Sequence, residues 1–132
     1  MQNAFHEKTE FQGDIKDRLA LADQIQKLIG SAKGKIDERR SATRYSFSEF
    51  VDCVLLEEDY RRTKKKFVAR AQDVSTGGIG LIHNARIEKG RLIAMHLPST
   101  SSGLTIVGQV QWCQPKDHFQ TFFLLGIRFL TR

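Results

Sequence analysis

From Ser46 to Phe129 the chain is written in short runs of β-branched and aromatic residues, each closed by a turn signal, and this texture restricts it to a mainly β fold. The runs are Ser46–Leu56, Lys65–Gln72, Ile79–Ile82, Leu92–Leu97, Leu104–Trp112 and Thr121–Phe129. Between them stand Glu57–Arg62, the Ser75–Gly78 corner, Glu88-Lys89-Gly90, Pro98–Gly103 and Pro115–His118, with the Gly, Pro, Asp and Ser that turns favour. In the second run Phe67, Ala69 and Ala71 share one face while Val68, Arg70 and Gln72 share the other, the period of a strand with one wall buried. Six short strands with tight connections favour an antiparallel barrel, because closure leaves no unpaired edge.

The residues in front of these runs have a different period. Ile15, Leu19, Ala22, Ile25 and Ile29 recur at spacings of three and four and predict a helix over Asp14–Ile29, its apolar stripe widened by Leu21 and Leu28. Asp14 can cap its first turn, and Gly30 supplies the left-handed position that ends many helices. Ser31-Ala32-Lys33-Gly34-Lys35 is small, basic and glycine-containing, and reads as a linker. The expected organisation is a helical extension and linker over residues 1–38 and a β-barrel domain over residues 39–132. A stripe this apolar either caps the barrel or pairs with another copy of itself, and an amphipathic helix on a free linker favours self-association.

Composition excludes several classes. Cys53 and Cys113 form no CxxC pair and no disulfide framework, so both are expected to act as small core hydrophobes. His6, His83, His96 and His118 lack ligand spacing, and no metal site or cofactor is expected. The N-terminus has no apolar leader, no run is long enough to span a bilayer, and the expectation is a cytoplasmic protein without membrane insertion. A net charge of +6 points to an anionic partner without naming it. The run Arg61-Arg62-Thr63-Lys64-Lys65-Lys66 reads first as a solvated face.

Two short patterns carry chemistry. Arg39-Arg40-Ser41-Ala42-Thr43-Arg44 places three guanidiniums where the linker meets the first strand, and each offers a planar fork that fits phosphate oxygens or the O6/N7 edge of guanine. Asp73-Val74-Ser75-Thr76-Gly77-Gly78-Ile79-Gly80 stands at a strand end. Its carboxylate can accept the N1 and N2 protons of guanine, Ser75 can bond a base or a phosphate, and the glycines admit close backbone approach. A site for phosphate alone would gain nothing from Asp73, whose charge opposes the ligand's. Trp112 is a further candidate, for base stacking or for packing.

Taken together, Arg40-x-x-x-Arg44 and Asp73-x-Ser75-x-x-Gly78 resemble the PilZ family, whose signatures are an RxxxR loop and a later D/N-x-S-x-x-G turn between strands. Gly78-Ile79-Gly80-Leu81, Gly108-Gln109-Val110-Gln111-Trp112 and Leu125-Gly126-Ile127-Arg128-Phe129 extend the likeness over the barrel region. The resemblance implies a six-stranded barrel that binds cyclic di-GMP on its outer face, without catalysis. Arg39, Arg40 and Arg44 would take phosphates and guanine edges, and Asp73 and Ser75 would hold a guanine from the other side, with Gly77 and Gly78 letting the backbone approach the ligand. Arg39 would also allow a second ligand molecule. The implied role is a second-messenger receptor that changes shape or partner, acting on a downstream protein not named by the sequence. The alternatives are a PilZ-fold interaction module without ligand and a basic barrel that binds single-stranded nucleic acid. The second is disfavoured because most aromatics fall in apolar strand runs.

Overall fold

The computed structural model describes residues 18–29, 33–37, 44–97 and 104–131. Helix α1 (Arg18–Ile29) is followed by strands β1 (Lys33–Asp37), β2 (Arg44–Leu56), β3 (Arg62–Val74), β4 (Gly78–His83), β5 (Leu92–Leu97), β6 (Leu104–Pro115) and β7 (Phe123–Phe129). Six of the strands pair in the order β2-β3-β4-β7-β6-β5, and β5 returns to pair with β2, which closes an antiparallel barrel. Closure follows from the length of β2. Its whole span from Tyr45 to Leu56 pairs with β3, while the opposite edge takes β1 near its start and β5 from Asp52 to Leu56.

Strand β1 corrects the linker reading for Lys33–Lys35, while Ser31 and Ala32 lie outside the described residues. Lys33, Lys35 and Asp37 are cross-strand partners of Ser46, Tyr45 and Arg44. Ile36 is the single apolar residue in Lys-Gly-Lys-Ile-Asp, too little to show a strand period, and the edge of β2 supplies the backbone partners.

The core is built by the expected alternation. Val51, Cys53 and Leu55 point inward from β2, Ala69 and Ala71 from β3, Ile79 and Leu81 from β4, with Ile93, Met95, Ile106, Leu125 and Ile127 from the remaining strands. Val68, Arg70 and Gln72 face outward as their period requires. Cys53 is a core hydrophobe, and burial, aided by the nearby Asp52 charge, pushes its thiol pKa up. Cys113 packs against the same cluster.

Leu21 and Ile25 of α1 belong to this cluster too, both fully buried. Removal of two such side chains from water stabilises the helix on the barrel by about 1.5–3 kcal/mol each. Leu19, expected on the buried stripe, is instead 82% exposed. The helix is rotated so that Leu21 and Ile25, one turn apart, face inward. The chain's own barrel thus occupies that part of the apolar stripe. Ile15 and the two capping residues, Asp14 and Gly30, lie outside the described residues.

Candidate functional site

Arg44 and Asp73 meet on the outer wall. Arg44 opens β2, and the β2–β3 register sets Ser46 opposite Asp73. The Arg44 Nη2 and Nε donate to one carboxylate oxygen, Asp73 Oδ1, at 2.7 and 3.0 Å. The two side chains are 16% and 19% exposed, so the pair is only partly screened by water. Arg39 and Arg40 lie outside the described residues. Asp37 and Arg44, the strand residues on either side of that segment, are paired to each other.

Asp73 reaches the outer wall because of a bulge. Ala71 faces the core, and in a regular strand Asp73 would follow it inward. The register shifts between Ala71 and Asp73, an extra residue intervenes, and the carboxylate emerges outside while Val74 stays buried. Strand β6 repeats the device. Val110 is buried, the register shifts before Trp112, and the indole emerges 37% exposed.

The two bulges serve one row. Asp73 pairs with Gly80, Gly80 with Gly126, and Gly126 with Trp112, across four neighbouring strands. A methyl group on Gly80 would sit 2.8 Å from Asp73 Oδ1, and one on Gly126 would sit 2.2 Å from the Trp112 ring. The carboxylate therefore leans over Gly80 and the indole lies across Gly126. Adjacent strands are about 4.8 Å apart, so a hydrogen-bond acceptor and a flat aromatic face stand side by side. A planar base can stack on such a face while an N–H on its edge reaches the carboxylate.

The turn after Asp73 is held by Ser75. This residue is 2% exposed, and its Oγ accepts hydrogen bonds from the backbone N–H groups of Gly77 and Gly78, each at 3.2 Å. Ser75 N donates to Gly78 O at 2.9 Å, and Gly77 O accepts from Phe129 N at 2.9 Å. Ser75 thus shapes the turn from inside. Gly78 is needed for space, because a methyl group there would lie 2.2 Å from Ile127 O. Gly77 is open, with nothing within 4 Å of an added methyl group.

Three residues of this wall stand in the quoted sequence runs but are not assigned to the site there. Gly80 and Gly126 form the floor, and Arg128, the next outward position after Gly126 on β7, is exposed opposite Gly78. Its Nη2 donates to Gln109 Oε1 at 3.2 Å. The alternation of Gly126, Ile127 and Arg128 was a local signal for their shared face, but only strand pairing puts them beside Asp73.

The sequence model of the PilZ domain family matches residues 38–132. No curated protein matches the chain. Among solved structures it is similar to the PilZ domain with c-di-GMP of YcgR from Escherichia coli, with 20% identity, a TM-score of 0.51, and coverage of 70% of this chain and 79% of that one. It also matches the MrkH–c-di-GMP complex of K. pneumonia, with 17% identity, a TM-score of 0.44, and coverage of 74% of this chain and 47% of that one.

Proposed function

The chain belongs to the PilZ domain family, and from that premise we propose that it is a receptor for cyclic di-GMP, bound on the outer wall around Arg44 and Asp73. The observation that carries this reading is the meeting of the two signatures in one ion pair, beside a stackable indole. In this reading Asp73 accepts N–H groups of one guanine, Trp112 stacks on a base, and Arg44 takes phosphate or guanine oxygens together with Arg39 and Arg40. Ser75 contributes by fixing the turn, and Gly77 and Gly78 let the ligand approach its backbone. Binding, not catalysis, is the assigned role, and it suits a cytoplasmic protein.

The receptor passes the signal on through the segment that carries Arg39 and Arg40. Ligand phosphates held there would couple the start of the barrel domain, residues 39–132, to β1 and the helical extension, and so alter the surface offered to a downstream protein. Stacking of Arg39 on a second ligand molecule would allow two copies per chain.

Titration calorimetry with cyclic di-GMP, cyclic GMP and GTP tests the reading. The expected result is saturable binding of cyclic di-GMP that the two mononucleotides do not reproduce. Equal or absent binding of all three rejects it.

A further inference from the structure

The β6–β7 turn carries two phenylalanines that the fold leaves in water. Phe119 is 89% exposed and Phe122 46% exposed. The turn closes without their side chains: Lys116 N donates to Phe122 O at 2.8 Å, Gln120 N to Asp117 O at 3.2 Å, and Thr121 N to Asp117 Oδ1 at 2.8 Å. Gln120 completes it with a φ of 54°. The backbone is therefore fixed in a shape that holds Phe119 outward.

Cations gather at this end of the barrel. His83 pairs with Phe123, and Pro115 with Phe123, so the exit of β4 and the β6–β7 turn lie together. Lys116 is in the turn itself. Arg86, just past β4, stands 4.8 Å from the centre of the Phe123 ring. Strand β3, the other neighbour of β4, brings exposed Lys64, Lys65 and Lys66 and then the exposed Val68. Carboxylates stand among them: Asp117, bonded within the turn, Asp52, the cross-strand partner of Val68, Glu57, Glu58 and Asp59 in the β2–β3 turn, where Asp59 is paired with Arg61, and Glu88 beyond Arg86.

We propose that this end of the barrel docks on an anionic bilayer surface, with Phe119 and Phe122 entering the headgroup boundary and Lys64, Lys66 and Lys116 meeting lipid phosphates. Aromatic tips flanked by long cationic side chains suit that boundary, where apolar burial and electrostatic attraction add. The cavity of about 690 Å³ beside Tyr60 and Gly90 shares no residue with this surface. The contact is peripheral and requires no spanning helix. It is independent of Arg44 and Asp73.

Flotation of the full chain with two kinds of vesicle provides the test: phosphatidylcholine alone, and phosphatidylcholine mixed with phosphatidylglycerol. Binding should be confined to the mixed vesicles and should weaken as salt screens it. Phe119→Ser should reduce partitioning roughly tenfold, the effect of removing one partly inserted ring. The triple change Lys64→Gln, Lys66→Gln and Lys116→Gln should erase the preference for phosphatidylglycerol. The proposal is overturned by an absence of binding to mixed vesicles at low salt, or by Phe119→Ser binding as well as the parent chain. Capture by soluble polyglutamate with no vesicle binding would also overturn it, assigning the surface to an acidic protein.

Discussion

Arg44 directs both Nε and Nη2 at a single oxygen of Asp73, Oδ1, and among the described residues Oδ2 accepts no hydrogen bond. A fork-to-fork pair would have occupied both oxygens. Among the described residues the second oxygen is thus left to accept a further N–H, and Arg44 takes its orientation from Asp73. The arginine is a strand residue held by its partner, rather than part of a free loop that closes later.

Replacement of Arg44 by Ala should weaken cyclic di-GMP binding by about 1.5–3 kcal/mol, or about ten- to a hundredfold. Arg44→Lys should not restore it, because an ammonium lacks the fixed fork that spans Nε and Nη2. Calorimetry on both variants, with circular dichroism as the control for folding, decides the matter. Parent affinity in a folded Arg44→Ala protein would remove this residue from the site.

The two glycines of the turn should behave oppositely. Alanine at Gly78 would push a methyl group against the Ile127 carbonyl, which belongs to the β4–β7 ladder and cannot yield cheaply. A loss of about 2–3 kcal/mol is expected from such overpacking. Alanine at Gly77 meets nothing and should stay within about 0.5 kcal/mol of the parent. Denaturant midpoints compare the two, and equal losses would contradict the space argument.

What the sequence made legible was local. The alternation of Phe67, Ala69 and Ala71 against Val68, Arg70 and Gln72 depends only on the period of one strand, and it is found as read. Leu19 misled because a three-to-four spacing specifies a helix but leaves its rotation to whatever it packs on, here the core that takes Leu21 and Ile25. Lys33–Asp37 has no strand composition and gains its conformation from the edge of β2. The floor of the candidate site was hidden for the same reason. Gly80 and Gly126 touch Asp73 and Trp112 only through register, and the bulges that turn those two side chains outward are defined by the opposing strands.

Trp112 should report the ligand directly. If a base stacks on the indole that covers Gly126, its emission will change on titration with cyclic di-GMP. Trp112→Phe, with a smaller ring, should lower affinity roughly tenfold, within the range of base–aromatic stacking. An unaltered emission spectrum at saturation would exclude the indole from contact.

His83 gives a pH dependence of stability. Its ring lies 4.2 Å from that of Phe67, and burial lowers its pKa from the ordinary 6.5. The folded chain thus favours the neutral ring, and the unfolded chain binds more protons as the pH falls through 6.5. Stability should be full above that value and decline below it until the folded-state pKa is passed. Thermal melts of the parent and of His83→Gln between roughly pH 7.5 and 5 check this. The variant should lose part of the slope, and identical slopes would assign the dependence to other groups.

The final prediction concerns β1 and the residues between it and β2. Its register against β2 slips between Lys33 and Lys35 and again between Lys35 and Asp37, so this is the least regular pairing in the sheet. Few ladder bonds and a sequence of Lys, Gly, Lys, Ile and Asp give it little stability of its own, and such segments open locally at low free energy. Arg44, by contrast, is fixed from the β3 side through Asp73. Phosphates bound next to Arg44 would engage Arg39 and Arg40 through charge-assisted hydrogen bonds and so tie the segment between β1 and β2 to the same wall. The residues on either side, Asp37 and Arg44, are already paired, so this tie would tighten β1 instead of creating it. Hydrogen exchange with and without cyclic di-GMP should show protection rising across Lys35–Arg44, with little change in β6 from Leu104 to Trp112. Equal protection of Lys35–Arg44 in both states, at saturating ligand, would mean that the segment is preformed and transmits no change to the helix before it.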